Sequence, residues 1–221
     1  MTFRPGAKTA LTLRILVHIC AVLPLLWLFW AIPKGVFGGD PVKELIHFLG
    51  IGTLRLLLLT LCISPLAKML KFGQLLKLRR PLGLWCFAWA ALHFYVWLAL
   101  DLTFEWSLIG EELVKRTYIL VGFSALLLLL ALAVTSIPKL MRKMGRNWKK
   151  LHNYIYLVAL LGCLHYWWSL KSGWVSPAGY TCFTLYLLWL RREKFGINLH
   201  QKSLPSASLS KDFVQSHSSN P

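Results

Sequence analysis

Acidic residues are scarce in this chain. Eight Asp and Glu stand against 25 Lys and Arg, a formal net charge of +17. Charge of either sign is scarce too, at 15% of residues, where a soluble domain carries roughly 25%. With 57% of residues apolar, a soluble basic protein of this kind would aggregate before it bound a nucleic acid. Intrinsic disorder is excluded by 11 Trp, 12 Phe and long Leu runs. There is no C-x-x-C, no Walker loop and no G-x-G-x-x-G, and no internal repeat is visible. The five cysteines (Cys20, Cys62, Cys86, Cys163 and Cys182) all fall in apolar stretches and read as small apolar filler. The class that remains is a polytopic membrane protein whose basic residues lie mostly outside the bilayer.

A membrane-crossing helix needs about 20 apolar residues. Six stretches qualify, at roughly 11–32, 46–66, 81–101, 117–137, 151–170 and 174–190, the last being short. The expected fold is an all-α, six-transmembrane-helix bundle. Residues 1–10 form an N-terminal segment, 11–195 the transmembrane domain, and 196–221 a Ser-rich tail with the composition of disorder. The first stretch is too long and lacks the small-residue cleavage site of a signal peptide, so it is read as a retained span. No soluble catalytic domain is left over. Any chemistry must use side chains inside the bundle or the active site of a partner.

Loop charge predicts the orientation. With the N-terminus inside, segments 1–14, 67–80, 138–150 and 191–221 hold 19 of the basic residues and two acids, Glu193 and Asp212. The outer loops hold five basic residues, Lys171 among them, and six acidic ones. Both termini are therefore expected on the cytoplasmic side. Trp27, Trp30, Trp106, Trp167, Trp168 and Trp174 mark the outer interface; Trp85, Trp148 and Trp189 mark the inner one. Ser64-Pro65 and Ser136-Ile137-Pro138 are expected to close the second and fourth spans, because proline stops a helix. Gly50-Ile51-Gly52 reads as a helix-packing site.

Ionisable groups inside a span are costly, so each is a functional candidate. They are His18, His47, Arg55, His93, His152 and His165. His93 lies eight residues before Asp101, about 12 Å below the outer end of its span. His165 lies six residues before Lys171, about 9 Å in. Two histidines on different helices at similar depth suit a tetrapyrrole held between helices, with one axial nitrogen from each side. Filling both axial positions leaves no open site on the iron, which then carries electrons. The alternative is two unrelated histidines bonded to neighbouring carbonyls. Zinc lacks thiolate or carboxylate partners at that depth.

His152 sits at the inner end of the fifth span, thirteen residues and about 20 Å from His165 along one helix axis. It could serve a second haem, a flavin, a propionate or a donor protein, or be an interfacial structural histidine. At the matching depth the third span offers Arg79 or Arg80, not a histidine. Arg55 lies near the midplane and cannot lose its charge. Its partner is either an anion, such as a haem propionate, or a cluster of helix carbonyls. His18 and His47 suit packing or a quinone site; His200 and His217 lie in the tail.

Several segments together resemble one family: Arg79-Arg80-Pro81-Leu82-Gly83-Leu84-Trp85 leading to Leu92-His93-Phe94, Arg116-Thr117-Tyr118-Ile119-Leu120-Val121-Gly122, and Thr135-Ser136. Met144-Gly145-Arg146-Asn147-Trp148-Lys149-Lys150-Leu151-His152, Leu164-His165-Tyr166 and the second span around Leu54-Arg55-Leu56 fit as well. Over roughly 10–195 the chain resembles the haem-binding membrane subunit of the bacterial periplasmic protein-methionine-sulfoxide reductase system. That family is part of the ferric-reductase-like transmembrane group, with the membrane part of NADPH oxidases.

The resemblance implies a b-type haem on His93 and His165, with His152 in a haem or electron-uptake role. It implies a bacterial inner-membrane protein that takes electrons from quinol or a cytoplasmic flavin reductase. It implies delivery to a periplasmic molybdenum-cofactor subunit that reduces methionine sulfoxide in oxidised proteins. FMN is associated with the family, but no flavin motif is visible here. The chain lacks the second third-span histidine of the oxidases and their cytoplasmic flavin and nicotinamide domains. The competing readings are a quinol-oxidising cytochrome b anchor for another periplasmic oxidoreductase and, from a different class, a small membrane transporter. The acidic outer loop 101–116 is either a docking surface for the partner or a plain solvated loop.

Overall fold

The computed structural model of the chain describes residues 7–170 and 173–191. Lys171, the boundary at 195, the tail 196–221 and its His200 and His217 fall outside them. The chain divides into two compact units after Trp189. All the elements below belong to the first; of the second only Leu190 and Arg191 are described.

Every regular element among the described residues is helical. The long ones are α1 (Ala7–Ala31), α2 (Pro41–Met69), α3 (Arg79–Val96) and, after the short α4 (Trp106–Lys115), α5 (Thr117–Val134). Two seven-residue helices follow, α6 (Pro138–Met144) and α7 (Arg146–His152), then α8 (Ile155–Ser169) and α9 (Val175–Trp189). A 3₁₀ segment, Gly73–Leu78, leads directly into α3.

The starts and stops follow local chemistry. Asp40 caps α2, its carboxylate accepting the Lys43 N–H at 3.2 Å, and Pro41 takes the first helical position, where no N–H is needed. The Lys43 ammonium beside it holds the Asp40 carboxyl below its usual range. At the end of α5 the Thr135 and Ser136 hydroxyls donate to the carbonyls of Ala131 and Leu132, and Pro138 opens the next helix. Gly145, at φ 51°, supplies the left-handed turn between α6 and α7. α3 ends in a widened π turn, Trp97–Asp101, one turn beyond His93.

Two expectations are revised. α2 does not stop at Ser64-Pro65: it runs through Pro65 to Met69. In a long apolar helix packed on neighbours, the carbonyl freed by proline is tolerated more readily than in a soluble one. The fifth expected span is not one helix, because a turn at Asn153-Tyr154 separates α7 from α8. Among the described residues, four helical segments are long and apolar enough to cross a membrane: Thr9–Ala31, Pro41–Met69, Gly73–Asp101 and Thr117–Val134. α8 and α9 have 15 residues each, about 22 Å of helix.

Two hairpin-like pairs make the centre. α2 packs along α3, and α5 along α8; α3 then meets α5, α8 meets α9, and α2 touches both α8 and α9. The core between them draws on Leu54, Leu57, Leu58 and Leu61 of α2 and Cys86 and Ala90 of α3. α5 adds Ala125 and Leu129, α8 adds Val158, Ala159 and Cys163, and α9 adds Leu187. α1 lies outside this core, against α3 and the 3₁₀ segment.

Candidate haem site

His93 on α3 and His165 on α8 are brought together. Their ring centres are 6.2 Å apart and the ring planes stand at 84°. Both side chains are half-buried. His93 Nδ1 donates to the carbonyl of Ile46 on α2 at 2.9 Å. His165 Nδ1 donates to the carbonyl of Tyr118 on α5 at 2.7 Å. A carbonyl can only accept, so each Nδ1 carries the proton. In a neutral imidazole that leaves the lone pair on Nε2, the arrangement in which a carbonyl orients a metal-binding histidine. Among the described residues neither Nε2 makes a hydrogen bond.

The spacing fits two rings on one metal. A metal–imidazole bond of about 2 Å, plus about 1 Å from nitrogen to ring centre, separates two such centres by roughly 6 Å. Among the described residues no cluster of three His, Cys, Asp or Glu could hold a bare ion. The donor set is thus a pair of imidazoles, which suits a macrocycle that supplies its own equatorial nitrogens.

Glycine makes the approach possible. A Cβ at Gly50 would lie 3.1 Å from His93 Cε1; a Cβ at Gly122 would lie 2.6 Å from His165 Nδ1. Gly50 and Gly52 form the helix-packing site expected from sequence: Gly50 faces the imidazole of His93 and Gly52 the indole of Trp89, both on α3. Gly122 was quoted only as part of a motif. A glycine one turn after a carbonyl that faces a buried histidine was the signal available, but it is legible only once the helices are paired.

The other polar residues do not join this pair. His152 Nδ1 donates to the Trp148 carbonyl of its own turn at 3.1 Å, and Nε2 lies 3.4 Å from Ser136 Oγ. Its ring stacks on Trp148 at 4.0 Å, and the Trp148 indole N–H donates to the Thr135 carbonyl. Arg79 is near enough for its charge to act on His152. His152 ends α7 and does not sit on α8, so a distance from His165 along one helix axis does not apply. Arg55 is exposed on α2 and donates from Nε to Tyr180 on α9 at 2.9 Å, a phenol instead of a carbonyl cluster. His18 accepts the Trp85 indole N–H at 2.8 Å, a packing role, and His47 lies against Tyr166.

Residues 49–163 match the ferric reductase like transmembrane component family. The "Protein-methionine-sulfoxide reductase heme-binding subunit MsrQ" of Cronobacter sakazakii is 47% identical over 192 residues, 86% of this chain and 96% of that one. The subunit of the same name from Klebsiella pneumoniae is 45% identical over 85% of this chain and 94% of its own length. That from Pectobacterium atrosepticum is 47% identical over 83% and 92%. The chain belongs to the MsrQ family. It is a multi-pass membrane protein of the ferric-reductase-like group.

Proposed function

We propose that this chain is the haem b-bearing electron-transfer subunit of a protein-methionine-sulfoxide reductase system. His93 and His165 are the residues that would hold the haem iron. The observation that carries this is the pair itself: two imidazoles 6.2 Å apart, each with its Nδ1 proton committed to a backbone carbonyl. When bound, a haem between them supplies one-electron transfer with no open coordination position. The residues do the rest. Ile46 and Tyr118 fix the ring tautomers, and Gly50 and Gly122 admit the rings.

Six helices cross the inner membrane in this reading, α8 and α9 being the short pair, with both termini cytoplasmic by the positive-inside bias. The donor side is cytoplasmic, either a flavin reductase or quinol from the membrane. His152, Arg79, Ser136 and Trp148 form its polar end, where an anionic cofactor edge or FMN would find a cation. Arg55 and Tyr180 offer a charge and a hydroxyl to a haem propionate. The acceptor is a periplasmic molybdopterin-containing subunit that reduces methionine sulfoxide in oxidised proteins.

The test is an optical spectrum of the purified, haem-supplied protein. A dithionite-reduced b-type spectrum is expected, lost in His93→Ala and in His165→Ala. In His152→Ala the haem content should persist while reduction from the cytoplasmic side slows. A colourless wild type, or full haem in both ligand variants, overturns the assignment.

A further inference from the structure

The two ligand hairpins repeat one construction. His93 bonds a carbonyl 47 residues earlier, and so does His165. His93 faces a glycine 43 residues earlier, and so does His165. In each case the glycine stands four residues after the bonded carbonyl on the partner helix: Ile46 and Gly50 on α2, Tyr118 and Gly122 on α5. A shift of 72 residues carries one set onto the other. The flanking side chains differ enough that the sequence shows no repeat; the repeat lies in how a ring is seated.

We infer that Gly50 and Gly122 are positioning residues for the two imidazoles. Each lets the histidine-bearing helix approach until Nδ1–H reaches the carbonyl one turn before the glycine, which leaves Nε2 as the coordinating nitrogen. This rests on the assignment of His93 and His165 as haem ligands and specifies how they are held.

The two seats differ in tightness, which makes the inference specific. At Gly122 a methyl group would sit 2.6 Å from Nδ1 and 2.7 Å from Cε1 of His165. Real Cβ contacts essentially never run so short, so the ring or its helix must shift, which disturbs its hydrogen bond to Tyr118. At Gly50 the nearest atoms of His93 would be 3.1 and 3.3 Å away, and a shift of a few tenths of an ångström suffices. Gly162 supplies the control. It lies on α8 three residues from His165, yet a methyl group there meets only Leu54 Cδ1, at 3.7 Å.

The experiment compares Gly122→Ala, Gly50→Ala and Gly162→Ala with wild type, as full-length protein in detergent. Haem per protein is read by pyridine haemochrome, spin state by electron paramagnetic resonance, and midpoint potential by redox titration. Losing an outer-shell partner of a metal-binding histidine costs about 10- to 100-fold in metal affinity. Gly122→Ala is accordingly expected to lose haem by about tenfold or more, or to keep it high-spin and return to low-spin on adding imidazole. Gly50→Ala should keep its haem but shift its resonance positions and potential. Gly162→Ala should match wild type in all three.

If Gly122→Ala does not accumulate, Gly50→Ala decides by its potential and resonance, which mere loss of packing would not move. Wild-type haem content and low-spin signature in Gly122→Ala overturn the inference, as does an equal loss in Gly162→Ala. The ligand assignment is judged separately, on wild type and the two His→Ala variants. Its failure is therefore distinguishable from that of the seating.

Discussion

At the residue scale, backbone carbonyls would do in the proposed site the work that a carboxylate performs in many metal sites. Ile46 and Tyr118 offer their second lone pair, since the first serves the helix. The arrangement adds no charge to a membrane interior where charge is costly. A third close approach has no part in the proposed ligation and separates packing from seating. A Cβ at Gly52 would lie 2.1 Å from Trp89 Cζ3. Trp89 is fully packed, and its indole N–H donates to the Ala21 carbonyl at 3.1 Å, tying α3 to α1. Gly52→Ala should destabilise the fold by about 1–3 kcal/mol through overpacking, seen as a lowered Tm in detergent. Haem per folded protein should stay unchanged.

Residue types and depths already named His93 and His165 as partners, because two ionisable groups at one level of two spans are rare in an apolar chain. Their hydrogen bonds were not legible. A carbonyl has no sequence signature, and Ile46 and Tyr118 meet the two histidines through their backbone alone.

At the element scale, helix ends carry most of the sequence's visible punctuation. Asp40-Pro41 starts α2 as its chemistry dictates, and Asp40→Ala should cost about 1 kcal/mol, measured as a lowered Tm. Proline was the less dependable signal. Pro138 opens a helix after a break, whereas Pro65 lies inside one. Whether proline ends a helix depends on what else can satisfy the freed carbonyl, and that is decided by neighbouring elements.

The short helix α4 also changes meaning. The Lys115 ammonium holds the Glu111 carboxyl below its usual range, and Arg116 lies 2.7 Å from Glu112. Two of the four acids in the outer loop 101–116 are thus answered within the loop. Asp101 and Glu105 form no ion pair among the described residues, though the Asp101 charge is felt by Lys43 and Arg116; if the loop docks the proposed partner, these two acids are the ones to test. If the loop is a docking surface, reversing Asp101 and Glu105 to Lys should slow electron delivery to the proposed periplasmic subunit and flatten its salt dependence. Reversing Glu111 and Lys115 together should change the rate little. Stopped-flow oxidation of the reduced protein at two ionic strengths measures both.

At the scale of the whole molecule, an apolar bundle with a strongly basic composition needs its charge sorted to one side. The loops carry that sorting in their order along the chain, so the orientation proposal needs no coordinates. The membrane-protein class, the helical content and the choice of the two histidines all follow from composition, apolar run length and the high cost of charge in lipid. These are properties of consecutive residues. Which helices pair, that α7 and α8 part at a turn, that Arg55 meets a tyrosine, and that two glycines receive two imidazoles were decided only by the tertiary structure. Those contacts join residues tens of positions apart, through backbone atoms and missing side chains that leave no pattern in the order of the residues.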